Sequence, residues 1–203
     1  MNKQTKPIAL FEKLLVLDSE TTGLQQGSCL APGQAPKGGY YQMVSVGMII
    51  ADFKTLKPIE ELYVEIQWDG KSIWSDGAEK VHGLSIEHLQ KHGIPEEDAV
   101  FEIGSLLLKH WGPVNTINVG GHNPSFDIAF LDDMFKRHDI ALHFSHRSYD
   151  SNTLGGILLD CFTSDQLFDI MGLPVRQKHN SLDDARYSLE CMRKIKLLWN
   201  TFV

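Results

Sequence analysis

Residues 14–24, Leu-Leu-Val-Leu-Asp-Ser-Glu-Thr-Thr-Gly-Leu, set an apolar run directly against two acids spaced two apart. The run is short and unbroken, which suits a strand buried on both faces. On an extended backbone Asp18 and Glu20 project to one face and Ser19 to the other. The chain must therefore bury residues 14–17 while leaving one face of the same strand's end able to hold two carboxylates. Locally, the pair also fits a solvated turn that follows the strand.

The next segments support a sheet. A Gly, Pro, Gln and Ser-rich stretch at 25–42, which contains Lys37, Tyr40 and Tyr41, reads as a loop. In Met-Val-Ser-Val-Gly-Met-Ile-Ile, Val44, Val46, Met48 and Ile50 alternate as a strand requires. A turn over 52–58 precedes a third strand in which Leu62, Val64 and Ile66 share a face. Tight connections between three successive strands predict an antiparallel meander. The period then changes. Short helices with Gly stops are expected near 75–85 and 85–94, and a longer helix follows Pro95 and three acids. A short strand at 115–121 leads into a helix over 123–139. Helices near 153–163 and 164–171 come next. The last helix, about 181–200, carries Leu182, Ala185, Leu189 and Met192 on one face. The expected class is α/β, with one domain spanning 1–203 and a loop insertion near 25–42.

Bulk properties restrict the function. The formal charge of −7 on 203 residues lacks the basic footprint of a protein that coats nucleic acid. An enzyme that meets nucleic acid through bound cations remains open, because the ions invert the local charge. Three separated cysteines form no CxxC pair, so neither a disulfide framework nor a zinc knuckle is indicated, and a reducing, cytoplasmic setting is expected. The first 18 residues do not read as a signal peptide, and no stretch approaches a spanning helix.

Two later segments repeat the theme of an acid at the end of an apolar element. His-Asn-Pro-Ser-Phe-Asp-Ile-Ala-Phe-Leu puts Asp127 early in an apolar helix, where a helix dipole alone would also favour it. His-Asn-Ser-Leu-Asp-Asp-Ala puts His179 just before the last helix and Asp184 inside its first turns. Alone, His179 reads first as a loop histidine that caps the helix.

Together the three blocks, in this order and on these element types, resemble the DEDDh group of 3′–5′ exonucleases, the DnaQ-like nucleases with a ribonuclease H-like fold. The resemblance covers roughly residues 14–195, and Ala-Glu-Lys-Val-His-Gly-Leu-Ser at 78–85 is similar to the family's intervening segment. It implies a ribonuclease H-like mixed sheet, the meander plus further strands, flanked by helices. It also implies two divalent cations, Mg²⁺ or Mn²⁺, about 4 Å apart. Asp18 would bridge both. Glu20 and Asp184 would hold the ion that carries the attacking water, Asp127 would support the other, and His179 would deprotonate that water. Four acids converging without metal would repel, and at least one pKa should rise.

On the substrate side, the turn Thr21, Thr22 and Gly23 would meet the terminal 3′-OH, and Leu24 and Phe126 would stack on the last bases. Phe126 fits core packing equally well. Asn123 would fix a helix start or a backbone contact. His82 is open between a substrate contact and a structural hydrogen bond, and Asp150 reads as a helix cap. Two features depart from the family: the 25–42 loop is long, and Ser45 stands where relatives often carry an acid. No polymerase-tethering tail follows the last helix, so a free-standing enzyme is expected.

The expected partner is the 3′ end of single-stranded DNA, in the kind of exonuclease used in repair or proofreading. RNA trimming and hydrolysis of dinucleotides are the alternatives on the same site. A non-catalytic nucleic-acid or polymerase-binding module would be marked by loss of one of the five residues, and all five are present. The resemblance is compatible with a monomer or a homodimer, and no membrane association is indicated.

Overall fold

The structure, a computed structural model, describes residues 12–24, 39–113, 116–161, 163–175 and 179–202, the last four by backbone only. Most of the 25–42 loop and residues 177–178 before His179 fall outside these. Strands β1 (Lys13–Thr21), β2 (Met43–Asp52) and β3 (Pro58–Glu65) form the expected antiparallel meander. Strands β4 (Ile117–Gly121) and β5 (Phe144–Asp150) add in parallel on the other side of β1, giving the order β3-β2-β1-β4-β5. This is a mixed sheet flanked by helices, of the ribonuclease H-like kind. β5 has no apolar alternation in Phe-Ser-His-Arg-Ser-Tyr-Asp; it is an edge strand specified by pairing with β4 rather than by burial.

Between β3 and β4 lie α1 (Asp76–His82), α2 (Ile86–His92) and α3 (Glu96–Trp111). Ser75 and Ser85 cap the two short helices, each accepting from the N–H three residues on. Gly83 ends α1 with φ at 74°, a left-handed turn that suits glycine. Helix α4 (Pro124–Arg137) has Pro at its start, and α5 (Ser151–Leu159), α6 (Ser164–Ile170) and α7 (Ser181–Phe202) complete the chain. Asp150 caps α5 by accepting from Asn152 N–H at 2.9 Å, as the sequence suggests.

β1 extends past the apolar run, so Asp18 and Glu20 belong to the strand and not to a turn after it. Its pairing with β2 sets Asp18 opposite Gly47 and Glu20 opposite Ser45. Leu15 and Leu17 face α3 and α4 in one core; Leu14 and Val16 face α7 in another. These four side chains are at most 1% exposed. Each such burial contributes about 2 kcal/mol, which holds the strand firmly enough to seat acids at its end. By alternation Asp18 and Glu20 share the α7 face, and Ser19 points toward α4.

Candidate active site

Gly47 decides how α7 arrives. A β-carbon there would lie 2.2 Å from Leu182 Cα and 2.3 Å from its nitrogen, so the helix start rests directly on the β2 backbone. Beside it, the hydroxyls of Ser45 and Ser181 meet at 3.1 Å, both fully buried. Ser45 therefore fastens the helix that brings in Asp184. Asn180 caps α7: its side chain accepts from Asp183 N–H at 3.1 Å, and its carbonyl from Asp184 N–H at 2.9 Å. Asp183 turns outward to Arg186 at 2.9 Å. Asp184, 3% exposed, turns inward.

The result is a cluster at the end of β1. One ligand atom from each of Glu20, His179 and Asp184 lies within 4.8 Å of the others. His179 Nδ1 is 3.3 Å from Asp184 Oδ2, and its ring is about two-fifths exposed. The His179 backbone N–H reaches Val81 O at 3.5 Å, which ties this loop to the end of α1. Two carboxylates with a histidine at their edge form a donor set suited to a hard divalent cation such as Mg²⁺ or Mn²⁺. Asp18 is half-buried on the same face, outside this three-residue group.

Asp127 is placed differently. It is 3% exposed and accepts from Ser19 Oγ at 2.6 Å, on the face of β1 opposite to Glu20. Burial pushes its carboxyl up from 3.8 to about 7, although the Ser19 hydroxyl and N–H favour the charged form. A pKa does rise, as the cluster of acids suggests, but desolvation is the larger cause and not like-charge repulsion. The unfolded chain gives up this proton near 3.8 and the folded chain near 7. Between those values the unfolded state binds fewer protons, so stability is present at low pH and falls as pH rises. Denaturant unfolding in EDTA should therefore show stability declining from about pH 4 to about pH 7, and Asp127→Asn should flatten that decline.

The other predicted residues divide into contacts and supports. Thr21 Oγ1 donates to Gly23 O at 2.6 Å, and Thr22 Oγ1 accepts from Gln42 N–H at 2.9 Å. These hydroxyls shape the turn. Leu24 is 85% exposed at its tip. Phe126 is half-buried and its ring lies 4.9 Å from Phe130, so much of it belongs to the core. Asn123 starts α4 in a left-handed conformation, its N–H held by Asp150 and its side chain by Ser125. His82 is buried, its Nδ1 accepts from Leu84 N–H at 3.0 Å, and burial lowers its pKa. This bond closes the end of α1. Gly47, Ser181 and Ser19 support the site from outside the three sequence blocks' acids; a glycine inside an alternating strand is the one signal for them, since it marks close backbone approach.

A mixed sheet thus presents acids at the end of its central strand, where α7 delivers Asp184 and the residues before it deliver His179, a group that could hold a metal ion. The exonuclease family model RNase T matches residues 15–192, and the chain belongs to this family, the DEDDh, DnaQ-like exonucleases. No curated protein sequence matches significantly. Among solved structures, the zinc-bound complex of E. coli exonuclease I with single-stranded DNA is 16% identical, with a TM-score of 0.72 over 92% of this chain and 41% of that one. E. coli exonuclease I with a dT13 oligonucleotide is 15% identical, with a TM-score of 0.72 over 94% of this chain and 43% of that one. The nuclease domain of 3′hExo, a DEDDh family member bound to rAMP, is 12% identical, with a TM-score of 0.67 over 95% and 94%. The chain thus spans about two-fifths of the length of exonuclease I. Among the described residues, no helix is long and apolar enough to cross a membrane.

Proposed function

We propose that this hydrolase removes nucleoside 5′-monophosphates from the 3′ end of single-stranded DNA, using two divalent cations and His179 as general base. The observation that carries the reading is the Glu20, His179 and Asp184 cluster at the end of β1 in a chain of the exonuclease family. Glu20 and Asp184, with Asp18 from the same strand face, would hold the cations, and Asp127 would support from the α4 side. When bound, such ions stabilise charge on a phosphodiester and make water acidic enough to attack near neutral pH.

The protein's own groups do the rest. Asp184 Oδ2 faces His179 Nδ1 and orients the ring, which leaves Nε2 as the nitrogen that takes the proton. The buried β1 core and the Gly47 contact keep Glu20 and Asp184 from drifting apart. The Thr21–Gly23 and Thr22–Gln42 bonds pre-form the turn beside the cluster, so substrate binding need not order it.

The preference for single-stranded DNA is supported by the oligonucleotide complexes of exonuclease I. The rAMP complex of 3′hExo supports RNA as the competing substrate. The test uses 5′-labelled DNA and RNA strands of one sequence. With Mg²⁺, DNA should shorten from its 3′ end as a ladder, faster than RNA, and EDTA should stop both. Full-length product on both strands with either Mg²⁺ or Mn²⁺ would reject the reading; a faster RNA ladder would reverse the preference alone.

A further inference from the structure

Beside the turn lies a set of aromatic rings that the chemistry above does not use. The segment between β3 and α1 crosses the turn: Ser75 N–H donates to Thr22 O at 2.9 Å, and Ile73 N–H to Tyr40 O at 2.8 Å. From this segment come Trp68 and Trp74, ring centroids 5.8 Å apart and edge to face. Trp74 in turn meets His82 at 6.4 Å. Tyr41 lies on the turn itself, since a β-carbon at Gly23 would sit 2.0 Å from its Cε1. At the far end of α1, Val81 O receives the His179 N–H. Trp68 and Trp74 therefore sit beside the turn, and α1 leads from them to the His179 contact.

Their orientation is set by polar bonds. Trp68 Nε1 donates to Ser72 Oγ at 2.8 Å and to Ser72 O at 3.1 Å. Trp74 Nε1 donates to Glu79 Oε2 at 2.8 Å. Both tryptophan rings remain only half-buried, whereas Tyr41 packs against the core. Large aromatic faces that are held rigid and left partly open are costly as mere loop packing, and well suited to stacking without further ordering. The charges nearby are mixed, with Asp69 and Lys71 on the segment and Asp76, Glu79 and Lys80 on α1. Such a mixed surface gains little from phosphate neutralisation, whereas base stacking needs no charge.

We propose that Trp74, with Trp68, is a stacking platform for the unpaired bases of the strand that leads into the active site. This deepens the exonuclease reading and rests on it: the platform makes the enzyme favour longer single strands over minimal substrates. Stacking is sequence-tolerant, so poly-dT and mixed strands should benefit alike.

The test compares a 20-nucleotide DNA strand with the p-nitrophenyl ester of thymidine 5′-monophosphate, which has no upstream base. In Trp74→Ala the ratio of kcat/KM for the strand to kcat/KM for the ester should fall roughly tenfold, chiefly through KM of the strand, as loss of one base–aromatic contact implies. Trp74→Phe should recover most of that ratio. Independently of any variant, the strand should quench the wild-type tryptophan fluorescence in Ca²⁺, and thymidine 5′-monophosphate should not. An unchanged ratio in Trp74→Ala, or absence of quenching by the strand, overturns the platform. If wild type hydrolyses neither substrate, the exonuclease reading fails instead, and the quenching titration still decides whether the platform exists.

Discussion

An Asp184→Asn variant is expected to lose exonuclease turnover by roughly 10³-fold, the scale on which removal of one preorganised electrostatic group acts. The substitution keeps shape and volume in a position that is 3% exposed. The backbone bond from Asp184 N–H to Asn180 O is untouched, so α7 should start where it does now. What changes is charge. The amide cannot complete a carboxylate site for a hard cation with Glu20, and it holds the His179 ring less strongly. Without metal, the same change relieves repulsion between two buried acids. The melting temperature in EDTA should therefore equal or exceed that of wild type. Mn²⁺ should stabilise wild type by about 2.7 kcal/mol at a hundred times its Kd and stabilise the variant far less. Turnover within about tenfold of wild type would remove Asp184 from the site. A variant inactive only because it is unfolded would be seen directly in the melt.

That prediction depends on facts of two kinds, and they were not equally legible in the sequence. The alternation of Val44, Val46, Met48 and Ile50 announced the meander, because burial on one face writes itself into every second residue. The acids were legible as three blocks whose residue types a cation site needs. What alternation cannot say is which helix covers which face. Asp18 and Glu20 share the α7 face, whereas Asp127 reaches β1 from the α4 side and binds Ser19, the residue between them. That arrangement is tertiary, and no local period encodes it. β5 went unannounced for a related reason: three of its seven residues are exposed, so no apolar pattern marks it. Phe126 shows the opposite case. Its position two residues before Ile128 and four before Phe130 predicted a core role as readily as stacking, and the ring does contact Phe130. The half-exposed tryptophans were silent because nothing in their spacing places Ser75 against Thr22.

Gly47→Ala is expected to be severely damaging for a single added methyl. Its β-carbon would lie 2.2 Å from Leu182 Cα and 2.4 Å from Ser181 C, both backbone atoms that no rotamer change can move aside. Either β2 or the start of α7 must shift, and overpacking of this kind costs about 3 kcal/mol. The helix is the part that yields, since β2 is locked between β1 and β3. A shift there parts Ser45 from Ser181 and carries Asp184 and His179 away from Glu20. Misplacement by about 1 Å is enough to reduce turnover by about 10²-fold, so activity should fall even in the fraction that stays folded. Gly77→Ala provides the contrast. A β-carbon there meets only Ser75 Oγ, at 3.4 Å, inside α1, so the same added methyl should be neutral or stabilise by up to about 1 kcal/mol. Urea unfolding and kcat of the two variants separate the cases. If Gly47→Ala unfolds at the wild-type midpoint with wild-type kcat, α7 does not rest on β2 as described, and the route by which Asp184 reaches Glu20 is wrong.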